Sequence, residues 1–577
     1  MFMIMRCIKL AVLLFSNLGY WEYFRSRYKI NVYFAPIFTI AVQFCVLFVA
    51  GILNYLKDAA ILLGAVGTVL LIISLRDRKL DIVKPYLNVG FLYFAFMLTF
   101  IALYTNNRQL LQIDNFTHWG TVVRNMLNTD RFPGSQDTVI RFISYPLGSS
   151  TMIYYYCKFL CPGEDRMMLA QGFLMLCAML PVFAFTGRRS GISTVVIVIM
   201  TALIFQYVVP VTELLVDTLL PLVGMASAAF AYYHCVVGEH EKKLSCYYAL
   251  PMMIWTMNIK HAALLYVAGT LVLLFVFADG KKRKITFLNC FLALFAVRSV
   301  WSRHCSYINP EASNSQHAMS LDWFSRILAD KSKEDIFYIV QEFLEFTAAR
   351  REHYWILAFV LLLSLLALAV NREKKMSVGI AVGILSVYTV YGIGVLGTYI
   401  FSMPVDEGLN GIDRYMKSGD VALYYMILIF TVSILARIED RGAYAVTGIV
   451  LAAIVGCAWW FQTGEYSNVS LANCTPEERQ RWEMPIAEYG IQEKRSYLLC
   501  VSLEDYLNRH HFPKYIWRYN LSTSAVDQIV VVEEAQLEKE TDYDYVVIFD
   551  QDNQVIQQWV QNNYPQEAGR QVIQHFR

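Results

Sequence analysis

Residues 110–127, LLQIDNFTHWGTVVRNML, carry Asp114, His118, Trp119 and Arg124 directly after a long apolar run. A carboxylate within reach of a hydroxyl can take its proton as a new bond forms. Cations or oriented donors can stabilise the negative charge left on a departing group. Asp114 and His118 are four positions apart and would share a face if the segment were one helix. The plainer role for Asp114 is to cap the helix FTHWGTVVRNML, whose first amides need an acceptor. Other polar side chains stand in similarly apolar surroundings: Asp217 in ELLVDTLLPLVG, Lys260 and His261 in NIKHAALL, and Glu407, Arg414 and Tyr415 in EGLNGIDRYM. Asp217 lies close to the start of an apolar run, where an unpaired carboxylate is costly, so Lys260 or Arg414 is its expected partner. Lys260 reads equally well as a cation snorkelling to the membrane interface, and Arg414 as an interface anchor or a member of a network with Asp413 and Glu407.

The elements that must position these groups are membrane helices. Of 577 residues, 56% are hydrophobic, 15% aromatic and only 17% charged, and the mean hydropathy is +0.41. That is far more apolar than an ordinary soluble domain, and the chain reads as a polytopic α-helical membrane protein. A formal net charge of +2 gives no basic field for nucleic acid. Apolar runs long enough to cross a bilayer fall near 32–54, 59–75, 86–104, 166–186, 191–210, 214–236, 245–258, 261–278, 285–301, 353–370, 376–398, 420–436 and 442–461. About 13 to 14 transmembrane helices are expected; residues 1–24 read either as a further span or as an interfacial helix, and lack the cleavage site of a removed signal peptide.

Basic clusters recur at every second connection: Arg25, Arg27 and Lys29; Arg76, Arg78 and Lys79; Arg188 and Arg189; Lys242 and Lys243; KKRK at 281–284; NREKK at 371–375; Arg437 and Arg441. By the positive-inside rule these loops are cytoplasmic. The opposite loops, 105–165, 302–352 and 401–420, with the turns at 208–217 and 258–261, then face outward and gather the reactive side chains. Residues 1–461 form the membrane core. The tail, 462–577, changes character: RSYLLCVS, AVDQIVVVEE and DYDYVVIFD read as short strands between helical stretches, giving a small extracytoplasmic α/β domain.

Most of the twelve cysteines lie in apolar runs, where cysteine behaves as a small hydrophobe. Spacing alone does not support a Cys474–Cys500 bridge. There is no CxxC pair, HExxH motif, glycine-rich phosphate loop or serine elbow, which argues against soluble nucleotide chemistry.

The acid-bearing segment, the long outward loop after it and the proline-marked turn ISYPLGSSTMIYYY at 143–156 together resemble the GT-C class of integral-membrane glycosyltransferases, and more closely a group of bacterial envelope proteins of that class. In such proteins a DE-F-x-H-W type segment opens the first large outward loop and YPPG follows. Here the segments read DNFTHWG, with Asn115 where an acid is common, and YPLG, with Leu147 for the second proline. WSRHCSYINPEASNSQHAMS at 301–320 and the segments around Asp217, Lys260 and Arg414 extend the resemblance over most of the core.

The resemblance implies transfer of a sugar from a polyprenyl-phosphate donor, usually with inversion, to an envelope glycan, lipid or protein at the outer face of the plasma membrane. It puts Asp114 in the role of general base. It also points to His118, Asp217, Lys260, His261, Glu407, Arg414 and Tyr415 as the residues around the substrate and the donor phosphate. No cofactor is implied. The loop offers Asp114 followed by Asn115, with Asp130 and Asp137 further off, so metal-independent chemistry is expected. A lipid-linked glycan polymerase or ligase would share the lipid donor and lean on Arg124, Arg131 and Arg141. A transporter would place charges and broken helices near the bilayer midplane, and a non-enzymatic envelope scaffold would need neither.

Overall fold

The computed structural model describes residues 2–140, 142–186, 190–237, 245–277, 283–310, 320–371, 374–405, 408–436, 473–501, 512–530, 543–567 and 569–574. Glu407, the expected span at 442–461 and the basic residues Arg188, Arg189, Lys242, Lys243, Arg437 and Arg441 lie outside these residues.

The helices of the membrane core are α1 (Phe2–Tyr28), α2 (Ala35–Ile52), α3 (Leu56–Arg78), α4 (Val89–Thr105), α5 (Ile113–Thr117), α6 (Trp119–Thr129), α7 (Gly148–Leu160), α8 (Glu164–Met179) and α9 (Ser190–Tyr207). They continue with α10 (Leu219–Phe230), α11 (Leu250–Met257), α12 (Leu264–Phe277), α13 (Arg283–Ile308), α14 (Leu321–Ala329), α15 (Lys333–Ala349), α16 (Arg351–Asn371), α17 (Lys374–Phe401) and α18 (Ile412–Ala436). Among the described residues eight helices are long and apolar enough to cross a bilayer, and three further apolar helices are shorter. The chain is an integral membrane protein.

Sequence and structure part company at several boundaries. The run 245–258 contains only the eight-residue α11 behind a 3-10 turn, because Pro251 sets its first turn and Asn258 ends it. Helix α13 continues to Ile308, so the start of the expected 302–352 loop is helical. The rest of that loop holds α14 and α15, the latter started by a capping box between Ser332 and Asp335.

Helices α7, α8, α10 and α18 form the centre of the core, with Tyr154, Tyr155, Met175, Leu222 and Tyr425 buried. Apolar residues elsewhere, such as Leu92 and Leu103 on α4, face outward, as lipid-facing helices require. Helices α1 and α3 pack backbone to backbone: a Cβ on Gly19 would collide with the Gly67 carbonyl oxygen. Ser16 and Tyr20 of α1 both donate to the Leu63 carbonyl across that contact.

The tail holds helices α19 (Pro476–Glu488), α20 (Phe512–Leu521) and α21 (Gln554–Asn563). Its strands are β1 (Tyr497–Val501), β2 (Val526–Val530), β3 (Tyr545–Ile548) and β4 (Val572–Gln574), in the order β2-β1-β3-β4. Strand β1 runs parallel to both neighbours, with Leu499 opposite Gln528 and Val547, and β4 is antiparallel to β3. The three strands expected from short runs rich in Val, Ile and Tyr are β1, β2 and β3. Cys474 and Cys500 are both buried, and no disulfide joins them.

Candidate active site

Asp114 lies in the short helix α5. The cap of α5 is Gln112, whose side chain accepts from the Asp114 amide at 2.6 Å. Asp114 is thus not the cap of α5, so the plainer of its two readings does not hold, and its carboxylate takes another partner. Nor is 113–129 one helix. The backbone turns away at His118 (φ −148°, ψ −71°), which ends α5 and starts α6. Asp114 and His118 thus do not stack along one helix face. His118 is buried, with its ring edge-on to Trp119, Phe142 and Tyr145.

The Asp114 carboxylate receives Arg414 Nη1, from the first turn of α18, at 2.8 Å. Arg414 Nε lies 3.9 Å from Asp217 Oδ2, and Lys260 Nζ donates to Asp217 Oδ1 at 2.9 Å. Four charged groups from four separate segments therefore form a continuous chain, Asp114–Arg414–Asp217–Lys260, in which each carboxylate has a cation. Asp217 is buried in the turn before α10. Burial alone would raise its carboxyl, but Lys260 and Arg414 outweigh that and hold it below the usual carboxylate range. The side chain of Asp114 is 33% exposed and that of Asp217 4% exposed, so Asp114 is the carboxylate of the pair that a solute can reach.

Aromatic rings wall the cluster. Lys260 Nζ lies 5.1 Å from the centre of the Tyr415 ring and the Arg414 guanidinium 5.6 Å from it, both within cation–π range. Tyr145, from the YPLG turn, stacks on Trp119 and meets the ring edges of His118 and His261. Burial raises the Tyr145 phenol well above its ordinary value, so it stays neutral. Ser418 Oγ donates to the Asp217 carbonyl at 2.8 Å, holding the turn to α18.

Two backbone contacts place the Lys260 turn. Gly148 N donates to the Asn258 carbonyl at 2.6 Å, and Trp255 Nε1 donates to the Gly148 carbonyl at 3.2 Å. A Cβ at residue 148 would collide with the Asn258 carbonyl oxygen, so the glycine of YPLG is required by close approach. From α13, Trp301 Nε1 donates to the Ser144 carbonyl, steadying the same turn.

Asn115 points away from Asp114 into the core. Its amide nitrogen donates to Glu213, and its oxygen accepts from the Leu214 amide. Asp217 is singled out from the sequence in ELLVDTLLPLVG, but Glu213, the first residue of the same segment, is not. Burial pushes its carboxyl up to about 8, against the lowering effect of Asn115 and the amides of Leu111 and Gln112. Asp130 is taken by Lys57 and Lys158, and Asp137 by Arg131. Arg124 turns to the tail, 4.6 Å from the Tyr519 ring centre, and Arg141 lies outside the described residues. Among the described residues no three His, Cys, Asp or Glu side chains are placed to hold a metal ion.

Comparison with known proteins is sparse. No family model matches the chain, and no curated protein matches it. Two solved structures of ArnT from Cupriavidus metallidurans, one in the apo state and one bound to undecaprenyl phosphate, align with 77% of this chain and 86% of theirs. Identities are 12% and 11%, and TM-scores 0.34 and 0.33. Similarity at that level transfers neither an activity nor a residue's role.

Proposed function

We propose that this chain is a membrane glycosyltransferase that moves a sugar from a polyprenyl-phosphate donor to an envelope glycan, lipid or protein. The observation that carries the reading is the cluster itself: one accessible carboxylate, Asp114, joined through Arg414 to a buried aspartate and a second cation, Lys260. Those are the parts that group transfer from a phosphate requires.

In the reaction the acceptor hydroxyl oxygen attacks the anomeric carbon, and the bond from that carbon to the phosphate oxygen breaks. The hydroxyl proton passes to Asp114, and the electron pair leaves with the lipid phosphate. Direct displacement of this kind inverts the anomeric centre. Arg414 and Lys260 face the charge that grows on the leaving phosphate, while Asp217 keeps the two cations side by side until then. These two side chains supply the positive charge that a metal ion would bring in other designs. In this reading His118, His261, Tyr145 and Tyr415, packed beside the charged cluster, form the surroundings of the sugar. The positive-inside pattern of the sequence supports an outward orientation for this face and for the tail domain.

The test is transfer by purified protein from radiolabelled polyprenyl-phosphate sugars to envelope extract, comparing wild type with Asp114→Asn at matched folding. Removing a general base is expected to cost about 10²- to 10⁴-fold. Equal transfer by both proteins would remove Asp114 from the chemistry. Absence of both transfer and donor binding in the wild type would turn the reading toward a transporter or scaffold.

A further inference from the structure

We infer that the C-terminal domain is a working part of the site and that Arg479, on α19, is the positioning residue through which it sets Asp114. The inference rests on the transfer reading above for the role of Asp114, but the contacts stand on their own.

The three residues that lead into α5 are gripped on every side. The Leu110 amide donates to Glu164 Oε2 at 2.8 Å, and the Leu110 carbonyl accepts from Arg479 Nη1 at 2.6 Å. The Leu111 carbonyl accepts from the Cys474 amide at 3.0 Å. Gln112 pairs with Asn473 in an antiparallel bridge, and its side chain caps the Asp114 amide. The tail thus takes hold of the chain just before the proposed base.

Arg479 is the centre of that grip. Its two terminal nitrogens meet the two oxygens of Glu164, each at 2.7 Å, and Nε meets Glu483 at 2.8 Å. The guanidinium also lies 5.2 Å from the ring centre of Phe116, on α5 itself. Arg479 is 3% exposed, so water competes little for this forked, charge-assisted pair. Phe116 also meets the ring edges of Phe512 and Tyr519 of α20.

The other end of the connection also runs to the site. Glu164 is the first residue of α8, and Gln171 of the same helix donates to the carbonyls of Glu213 and Leu215 at 2.8 and 3.2 Å. Those carbonyls belong to the turn that delivers Asp217. Helix α8 therefore serves as a common rail: its start fixes the entry to Asp114 through Arg479, and its middle fixes the segment before Asp217. A domain that only shielded the core could attach anywhere on its surface. This one attaches where slack is transmitted to the carboxylate, and a misplacement of about 1 Å can cost about 10²-fold in rate.

The experiment compares full-length wild type with Arg479→Gln and Arg479→Lys by two readouts. Hydrogen exchange is followed in peptides covering 110–118, with 250–257 as an internal control. Sugar transfer is resolved into kcat and KM for the lipid donor. Arg479→Gln is expected to speed exchange in 110–118 with the control unchanged, and to lower kcat about 10- to 100-fold while KM moves little. Arg479→Lys, which keeps the charge and loses the fork, should fall between. Should Arg479→Gln fail to fold, Glu483→Gln removes one contact and takes its place. Unchanged exchange in 110–118, or faster exchange with unchanged kcat, overturns the inference. If the wild type transfers no sugar, the transfer reading fails on its own, and the exchange result still decides whether Arg479 holds α5.

Discussion

Arg414 Nη1 lies 2.8 Å from Asp114 Oδ2 although 300 positions separate the two residues in the chain. The same guanidinium reaches Asp217 at 3.9 Å, so one planar group spans two carboxylates. Lysine presents a single point charge instead. Arg414→Lys is therefore expected to keep the fold but lose the bridge, lowering kcat/KM for sugar transfer by about 10- to 100-fold, or about 1.4 to 2.7 kcal/mol. Steady-state kinetics with a polyprenyl-phosphate sugar would check it; kinetics indistinguishable from wild type would show that the bridge is dispensable.

Asp217 is the counter-ion of a side chain, Lys260, that is itself only 13% exposed. Replacing Asp217 by Asn leaves that ammonium and the Arg414 guanidinium with one carboxylate between them. Breaking a buried pair from one side typically costs about 3–5 kcal/mol. Thermal unfolding in detergent should show a clear drop for Asp217→Asn and partial recovery when Lys260→Met is added. No recovery in the double variant would mean that the loss does not arise from the orphaned cation.

Glu213 gives a pH dependence with a definite sign. Its carboxyl is raised from 4.5 to about 8 by burial, so the folded chain keeps a proton that the unfolded chain gives up over that interval. The unfolded state binds fewer protons there, and stability falls as pH rises from about 4.5 to about 8, then levels off. Melting curves from pH 5 to 9 should slope downward for wild type and less steeply for Glu213→Gln. Parallel slopes would place the titration elsewhere.

Gly148 tests how the Lys260 turn is placed. Ala at this position would drive its Cβ into the Asn258 carbonyl oxygen, a backbone atom that cannot rotate away. Overpacking of this kind costs about 1–3 kcal/mol, and the shift falls close to Lys260. Gly148→Ala should therefore lower the melting temperature and weaken transfer together. Ser149→Ala at the next position, which adds no atom, serves as the control and should melt close to wild type. Equal melting of the two variants would show that the turn yields without cost.

The parts of this site that the sequence makes legible are those governed by cost. A carboxylate beside an apolar run has to be paired, so Asp217 can be assigned Lys260 or Arg414 from the sequence, and the structure gives it both. The three strands β1, β2 and β3 are visible because a short run rich in Val, Ile and Tyr is a local pattern, and β1 and β3 are buried along their whole length. What stays hidden depends on distant partners. Nothing near Glu213 marks it as the acceptor for Asn115, and nothing near Glu164 points to an arginine 315 positions later. The break at His118 escapes a sequence reading for a related reason: DNFTHWGTVV has no proline or helix-ending glycine, and the turn is imposed by the packing of His118, Trp119 and Tyr145 against one another. Short helices such as α11 are overextended because apolarity alone does not mark where a helix stops.

On the proposed transfer reading, the chain of alternating charges has a consequence for lipid selectivity. A bilayer surface is crowded with phosphate, and two bare cations at its edge would be occupied by any headgroup that drifted past. Here Lys260 and Arg414 already hold carboxylates of their own, so an arriving anion must displace an internal competitor. Charge alone does not repay that exchange, and only a ligand with additional contacts elsewhere in the fold gains enough to make it. On that reading Asp114 and Asp217 act as tenants that keep ordinary membrane lipids out until the right occupant arrives.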